Sequence, residues 1–408
     1  MRVVHKYGGT SVGTLDRIRN TADIVEASLK RGDEVTVVVS AMSGETNRLI
    51  SMAHDMDESA CPRELDALVA TGEQVTAALL SIELQGRGVK AYSFSGAQAG
   101  FLTSSNHSRA RICNIEARHL IRHMEKGEVP VVAGFQGVDE HGNITTLGRG
   151  GSDTSAVALA IALEANRCDI YTDVDGVYTT DPRIVPDASK IDRISYEEML
   201  EFASLGAKVL QTRSVELAMR FSMPIHLRSS FDLVDGTFVM EEDETMERAA
   251  ITGVAYNRDE AKVTIQGIPD HPGIAGNVFG PVADAGINVD VIVQNVSEQG
   301  HTDLTFTVPR ADYASTMALL KESCDKMQAR NVMGDDTVAK VSIIGVGMRS
   351  HAGVAKDMFN VLAKEKINIQ MITTSEIKVT VVIDENHVDQ AVRSLHAAFG
   401  LSQSDSKA

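Results

Sequence analysis

A glycine-rich loop running into an apolar helical stretch, Gly148-Arg149-Gly150-Gly151-Ser152-Asp153-Thr154, is the feature that most constrains this chain. Residues 156–163, Ala-Val-Ala-Leu-Ala-Ile-Ala-Leu, are good helix formers with no Gly or Pro. Ser152 or Asp153 is a natural N-cap, since either side-chain oxygen accepts from the first free backbone N–H groups. A helix N-terminus behind glycines is a ready anion site, with bare N–H donors, a favourable dipole and close backbone approach. A tight turn feeding a helix has the same composition. Arg149 and Asp153, a cation and a carboxylate beside a phosphate-type cradle, favour a charged substrate over a mere turn.

The chain's start repeats the arrangement. Residues 3–6 read as a short strand, and Tyr7-Gly8-Gly9-Thr10-Ser11-Val12-Gly13 as a glycine loop leading to a helix near residues 15–29. It is neither GxxxxGK[ST] nor a clean GxGxxG. Lys6, at the strand end, either reaches a phosphate as a mobile point charge or is a solvated strand end. Residues 34–39 read as a buried parallel strand. Ser40-Ala41-Met42-Ser43-Gly44 closes it, and a helix from about Thr46 would take Ser43 as a cap. A helical pattern over 62–85 is interrupted at Thr71-Gly72-Glu73, where a Gly costs about 1 kcal/mol relative to Ala. This is either a helix break or a place where backbone and carboxylate face a site. Strands are expected at 89–94, 129–135, 168–174 and 224–228, and helices at 196–205 and 208–221. The polar run from Thr172 to Arg183 follows a strand's carboxyl end, where open α/β sheets bind ligands. Alternation of strands and helices over residues 1–230 argues an α/β fold, a three-layer sandwich around a mostly parallel sheet.

At 408 residues, 43% hydrophobic and 23% charged, the chain has core for two or three globular domains. A net charge of -17 argues against nucleic acid, whose backbone needs Lys/Arg surfaces. No apolar run approaches the roughly 20 residues of a membrane span, and the first residues lack a signal-peptide pattern, so a cytoplasmic protein with no membrane partner is expected. Cys61, Cys113, Cys168 and Cys324 lie far apart without a CxxC, indicating neither a zinc site nor disulfides, and burial is expected for all four.

A first domain over 1–235 is followed at 236–250 by an acidic stretch, with Glu241-Glu242-Asp243-Glu244, that reads as a solvated linker. Beyond it Lys262-Val-Thr-Ile-Gln-Gly recurs as Lys340-Val-Ser-Ile-Ile-Gly, His271-Pro-Gly-Ile-Ala as His351-Ala-Gly-Val-Ala, and Gly286-Ile-Asn-Val as Lys366-Ile-Asn-Ile, 78 to 80 residues apart. Two ferredoxin-like α+β modules are expected, at 251–335 and 336–408, with residues 250–262 able to supply a strand to the second. Duplication serves either stability or an interface for a small ligand. His271 and His351 read as loop and cap residues rather than metal ligands.

Together these segments resemble the aspartokinases of the amino acid kinase superfamily, over nearly the whole chain. The matching blocks are Lys6-Tyr7-Gly8-Gly9-Thr10-Ser11-Val12, Ser40 to Gly44 with Thr46-Asn47, Thr71-Gly72-Glu73, Gly134-Phe135-Gln136-Gly137, Gly148 to Thr154, Tyr171 to Tyr178 and Thr180-Asp181-Pro182-Arg183. The repeat resembles that family's tandem ACT modules. With no room after it for a fused homoserine dehydrogenase, the monofunctional type is implied. The resemblance implies phosphoryl transfer from ATP to the side-chain carboxylate of L-aspartate, the first step toward lysine, threonine and methionine. Lys6 would stabilise the transferring group, and Asp153 would orient the catalytic lysines and substrates. Arg149 would clamp a substrate carboxylate, Glu73 would pair with the α-ammonium, and Ser40, Thr46, Gly150 and Ser152 would add hydrogen bonds. Lys6, Tyr7, Gly8, Gly9, Thr172, Asp173, Tyr178, Asp181, Arg183 and Lys208 would hold ATP. Mg²⁺ would ride mainly on the nucleotide phosphates, with no metal site of the protein's own.

The ACT pair implies feedback by lysine and/or threonine. Asp270, Gly273, Ile274, Ala275, Asn288, Asp290 and Gln294 match effector positions in the first copy, and Asn368, Ile369, Thr374 and Ser375 in the second. The second copy has Ala352 where the family has Pro, which loosens the loop's φ. Self-association through the ACT modules, as a homodimer or higher, is implied. In some relatives an internal start yields a separate regulatory chain, and Met240 and Met246 stand where it would fall. Two other readings compete. One is another amino acid kinase, with glutamate or uridylate as acceptor; Glu73 and Arg149 argue for an amino-acid acceptor. The other is a non-catalytic amino-acid sensor, against which Lys6, Asp153 and Arg183 speak.

Overall fold

The computed structural model describes residues 1–205, 209–232, 234–243, 246, 250–296, 300–324 and 327–402. The chain divides into two compact units, Met1–Tyr178 with Lys190–Met246, and Thr179–Ser189 with Glu247–Ala408.

In the first unit eight strands form one sheet: β1 Arg2–Tyr7, β2 Glu34–Val39, β3 Ala91–Phe94, β4 Val129–Ala133, β5 Arg167–Thr172, β6 Arg193–Ser195, β7 Ile225–Ser229 and β8 Thr237–Met240. They lie in the order β6-β8-β7-β5-β1-β2-β4-β3, and every neighbouring pair is parallel except β7 with β8. β1 and β2 are buried at every position after their first, as Val-rich strands covered on both faces must be. Val3, Tyr7, Val37 and Val39 pack with Ala77, Leu80 and Leu84 of the helix Thr71–Gly86 and with Ile18 and Val25 of the helix Leu15–Lys30. Side chains alternate along a strand, so Lys6 points to the other face, where the helix Gly151–Ala162 packs on β1 and β5. The result is the expected three-layer sandwich.

Several local expectations are corrected. The helix after the central loop begins at Gly151 with Gly150 as its N-cap (φ 72°), so Ser152 and Asp153 are first-turn residues and not caps. Gly44 (φ 84°), not Ser43, caps the helix Glu45–Met56. A left-handed cap selects glycine over a side-chain acceptor. Thr237–Met240, in the stretch read as linker, is a strand with Thr237 and Val239 buried. A further sheet of short strands, Phe101–Thr103, Ile112–Ile115, Gln136–Val138 and Ile144–Thr146, is too brief per strand to show a period in sequence. Cys168 is buried and Cys324 half-buried, but Cys61 and Cys113 are exposed. The stretch Pro62–Gly86 has the length and hydropathy of a membrane span, yet it is two helices, and the second packs on β3 and β4.

The second unit is built on a six-stranded antiparallel sheet: β9 Gly253–Pro269, β10 Ile292–Val296, β11 His301–Val308, β12 Asn331–Ile344, β13 Met371–Thr374 and β14 Lys378–Asp384, in the order β10-β11-β9-β12-β14-β13. The long strands β9 and β12 each serve both repeats. Residues 253–257 pair with 340–344 and residues 262–266 with 331–335, with the register shifting between the two stretches. Helices Ile274–Asp284 and Tyr313–Ser323 belong to the first repeat, Val354–Lys364 and Val388–Ala398 to the second.

In the first unit His5, Asp169 and His226 lie side by side across β1, β5 and β7. His5 Nε2 is 3.6 Å and His226 Nδ1 3.8 Å from the Asp169 carboxylate, which Arg167 Nε also meets at 2.6 Å. Burial holds His5 down to about 4 against an ordinary 6.5. The folded protein therefore binds fewer protons here than the unfolded chain. This contribution is whole above pH 6.5 and is lost as pH falls toward 4, about 3 kcal/mol for His5 in full. Denaturant unfolding from pH 7 to pH 4 should show His5→Gln losing less stability over that window than the parent chain. An equal loss in both would contradict this role.

Candidate active site

The carboxyl ends of parallel strands bring their loops together. Ser40 N donates to Tyr7 O (3.1 Å), Gly134 N to Val39 O (3.0 Å), Gly8 N to Tyr171 O (3.1 Å) and Ser230 N to Thr172 O (2.9 Å). Ser43 N donates to Gly9 O (3.1 Å), tying the first glycine loop to the second loop. A Cβ on Gly9 would come 3.0 Å from Ala41 O, so side chains are excluded from the join.

At the floor stands Lys6. Its Nζ is 2.5 Å from Asp153 Oδ1, with each side chain 10% exposed. This is an ion pair and not an aligned hydrogen bond. Asp153 is in the first turn of the helix Gly151–Ala162, where the dipole favours a carboxylate. A Cβ on Gly8 would approach Lys6 Nζ at 3.5 Å, so the ammonium lies against the glycine loop. Ser152 is buried beside Gly134, where an added Cβ would come 3.1 Å from Ser152 Cβ. Gly151 leaves room for Phe135 and Leu147, whose atoms would come 2.8 and 2.9 Å from a Cβ there. Arg149 projects from the same loop, exposed and with no carboxylate partner among the described residues.

Glu73 resolves the interrupted helix. Gly72 lets its helix approach the second loop, because a Cβ there would lie 2.9 Å from Ala41 Cβ. Glu73 is then buried, with Oε1 accepting from Ala41 N (3.1 Å) and Oε2 without a hydrogen-bond partner among the described residues. Burial pushes its carboxyl up to about 7, opposed by the Ala41 bond. A buried carboxylate oxygen without a donor is a place prepared for a cation. Ser40 and Thr46 are half-buried near the same loop.

Other expected residues stand apart. Thr172 Oγ1 donates to Asp173 Oδ1 (3.1 Å), and Tyr178 Oη donates to Asp175 (3.0 Å). Asp181 and Arg183 belong to the second unit, and Lys208 lies outside the described residues. Of the effector positions, Asp270, Gly273, Asn288, Asp290 and Gln294 are exposed, Ala275 is half-buried and Ile274 is buried. Asp290 is engaged by Lys340, itself 1% exposed and paired with Glu260 at 2.8 Å. In the second repeat Thr374 and Ser375 line a cavity of about 540 Å³ with Arg349, His351 and Gly353. Asn368 is exposed and Ile369 half-buried, and neither lines it.

Sequence reasoning assigned no role to three supports of the site. Ser155 Oγ accepts from Phe135 N (3.0 Å), holding a turn in which Phe135 has φ 69°. Arg213 donates to Leu147 O (2.9 Å) and Ala110 O (3.0 Å), fixing the start of the central loop. Ser230 Oγ donates to Ser11 Oγ (2.8 Å), joining the first glycine loop to the end of β7. Each bridges residues distant in sequence, so no local pattern announces it.

The sequence profile of the amino acid kinase family matches residues 1–229, and that of the ACT domain matches residues 263–323 and 341–399. The chain is 57% identical over 401 residues to the aspartokinase of Pseudomonas aeruginosa, covering 98% of this chain and 97% of that one. It is 49% identical to the aspartokinase of Helicobacter pylori, covering 99% and 100%. Among solved structures, E. coli aspartokinase III in complex with aspartate and ADP superposes with a TM-score of 0.80 at 30% identity, over 98% of this chain and 99% of that one. The same enzyme in complex with lysine and aspartate gives 0.79 at 30% identity, over 97% and 99%.

The Glu73 environment has a measurable cost. Its folded carboxyl is raised from 4.5 to about 7, so the folded chain loses stability as pH rises between those values. Glu73→Gln keeps an oxygen for Ala41 N and removes the buried charge. Thermal melting should show this variant a few degrees above the parent at pH 8 and level with it at pH 5. A variant melting lower at pH 8 would contradict this.

Proposed function

We propose how this chain, which belongs to the amino acid kinase family and within it to the aspartokinases, carries out its phosphotransferase reaction. The reaction takes ATP and L-aspartate to ADP and 4-phospho-L-aspartate. The observation that carries the residue assignments is the buried Lys6–Asp153 pair lying against a glycine loop at the ends of β1 and β5.

The acceptor carboxylate of aspartate is already ionised near pH 7, so no strong general base is required. Phosphoryl transfer through a loose transition state relies on positioning and charge neutralisation. Lys6, next to Gly8, meets the transferring phosphoryl oxygens, and its preorganised charge is worth most where water is excluded. Asp153 holds that ammonium in place. Backbone N–H groups of Tyr7, Gly8 and Gly9 cradle phosphate. Arg149, free of a carboxylate partner among the described residues, closes on an aspartate carboxylate as a bidentate fork. The unpartnered Oε2 of Glu73 takes the α-ammonium, which draws its carboxyl back toward the ionised form. Ser40, Thr46, Ser152 and the Gly150 N–H complete the aspartate contacts. Thr172, Asp173, Tyr178, Asp181, Arg183 and Lys208 hold the nucleotide.

Among the described residues no group of three or more His, Cys, Asp or Glu side chains is placed to hold a metal ion, and Asp153 meets Lys6. Mg²⁺ would be carried mainly by the nucleotide phosphates, where it would supply charge neutralisation.

The second unit is read as the regulatory half. E. coli aspartokinase III has been solved in complex with lysine, and both ACT repeats are present here. Lysine and/or threonine would bind at the first repeat around Asp270, Gly273, Ile274, Ala275, Asn288, Asp290 and Gln294. The second would use Asn368, Ile369, Thr374 and Ser375. Self-association through the ACT repeats follows from the same reading, as do service to lysine, threonine and methionine synthesis and a cytoplasmic location.

Lys6→Met should lower kcat for hydroxamate-trapped acyl phosphate by about 10²- to 10³-fold, the effect of losing one preorganised charge. Its far-UV spectrum should be unchanged. Full turnover would refute the role of Lys6. Turnover with aspartate and not glutamate, suppressed by lysine or threonine, is the expected specificity.

A further inference from the structure

Residues 179–189 follow the short strand Val177–Tyr178 and precede its partner Lys190–Ile191, yet by compactness they belong to the second unit. They are held there densely. Thr179 is buried; its O accepts from Val254 N (2.7 Å), and its hydroxyl meets His396 Nε2 (2.9 Å) and Leu401 O (3.2 Å). Ser189 Oγ donates to Leu401 O (2.9 Å), and Ser402 Oγ donates to Asp187 Oδ2 (2.7 Å). With both ends of the loop anchored, Asp181 becomes its internal hub. Tyr256 on β9 donates its phenol to Asp181 Oδ2 at 2.9 Å. The same carboxylate receives Arg183 NH2 (2.7 Å), Arg183 Nε (3.0 Å) and the Arg183 backbone N–H (2.9 Å). The Arg183 side chain is otherwise 88% exposed, so its remaining donors are open to a ligand. These contacts hold Asp181 down to about 2, Arg183 being the first cause and Tyr256 a contributor.

We propose that Tyr256 is a positioning residue for nucleotide binding: its phenol fixes the Asp181 carboxylate that orients the Arg183 guanidinium toward a nucleotide phosphate. This rests on the reading of Arg183 as an ATP contact. Arg183 is a long side chain with several rotatable bonds, and ordering it at the moment of binding would cost affinity. A carboxylate also held by a rigid phenol, through the Oδ2 that receives Arg183 NH2, orders it beforehand. Tyr256 lies on the strand shared by both ACT repeats.

Tyr256→Phe removes one hydroxyl and keeps the ring. In the full-length enzyme it should raise KM for ATP about five- to tenfold, the size of one hydrogen bond to a charged group acting indirectly. KM for aspartate and the melting temperature should not move, a split that a merely structural role would not produce. Arg183→Ala should raise KM for ATP at least as far, and adding Tyr256→Phe to it should change nothing more. If Arg183→Ala raises KM for ATP and Tyr256→Phe does not, the positioning role is overturned while the ATP contact stands. If Arg183→Ala leaves KM for ATP unchanged, the ATP contact fails and the proposal fails with it.

Discussion

A lysine and an aspartate, buried together at the end of a parallel sheet, set the terms for the catalytic unit. Taking two charges out of water is expensive, and an ion pair recovers the cost only with good geometry and supporting dipoles. Lys6 and Asp153 meet at 2.5 Å, and the carboxylate sits in the first turn of a helix whose dipole favours it. Removing either partner would leave the other buried and uncompensated. The parallel sheet is what allows the pair: β1 delivers Lys6 on one face, and the helix following the central loop delivers Asp153 to that same face. On the proposed mechanism, a phosphoryl group entering against the glycine loop would meet a cation already held by Asp153.

The glycines around this pair act by what they leave out. Gly72, Gly134 and Gly151 each sit where a Cβ would press on a neighbouring loop or helix, and their absence of side chains lets several loops close to a few ångströms. One consequence is the burial of Glu73 with one oxygen unmatched. In the resting protein that is a defect, and it shows as a carboxyl raised to about 7. An incoming ammonium would remove that defect, which is the role proposed here for the α-ammonium of aspartate.

Much of the architecture was legible because it repeats or alternates. Val-rich runs at 34–39 and 129–133 announce covered parallel strands, and motifs recurring 78 to 80 residues apart announce two ACT copies. Lys6, Glu73, Arg149 and Asp153 stood out in the sequence because they lie in contiguous motifs of family type. The failures have a common physical cause. Ser152 and Ser43 are good cap residues, yet glycines in left-handed conformations took those caps, since loop closure outranked local propensity. Thr237–Met240 became a strand by pairing with the neighbouring β7 and the more distant β6, which an acidic neighbourhood concealed. Ser155, Arg213 and Tyr256 act across 20, 66 and 75 residues of chain, and no local pattern encodes such contacts.

The central claim is that Lys6 and Asp153 work as one device. A double-mutant cycle on kcat with Lys6→Met, Asp153→Asn and the double variant tests it most directly, with ATP and aspartate saturating. Residues that act as a unit are strongly non-additive. The double variant should be no slower than the worse of the two single variants. A double variant whose loss equals the product of the two single losses would show that the residues act independently, and the account built on their pairing would fall.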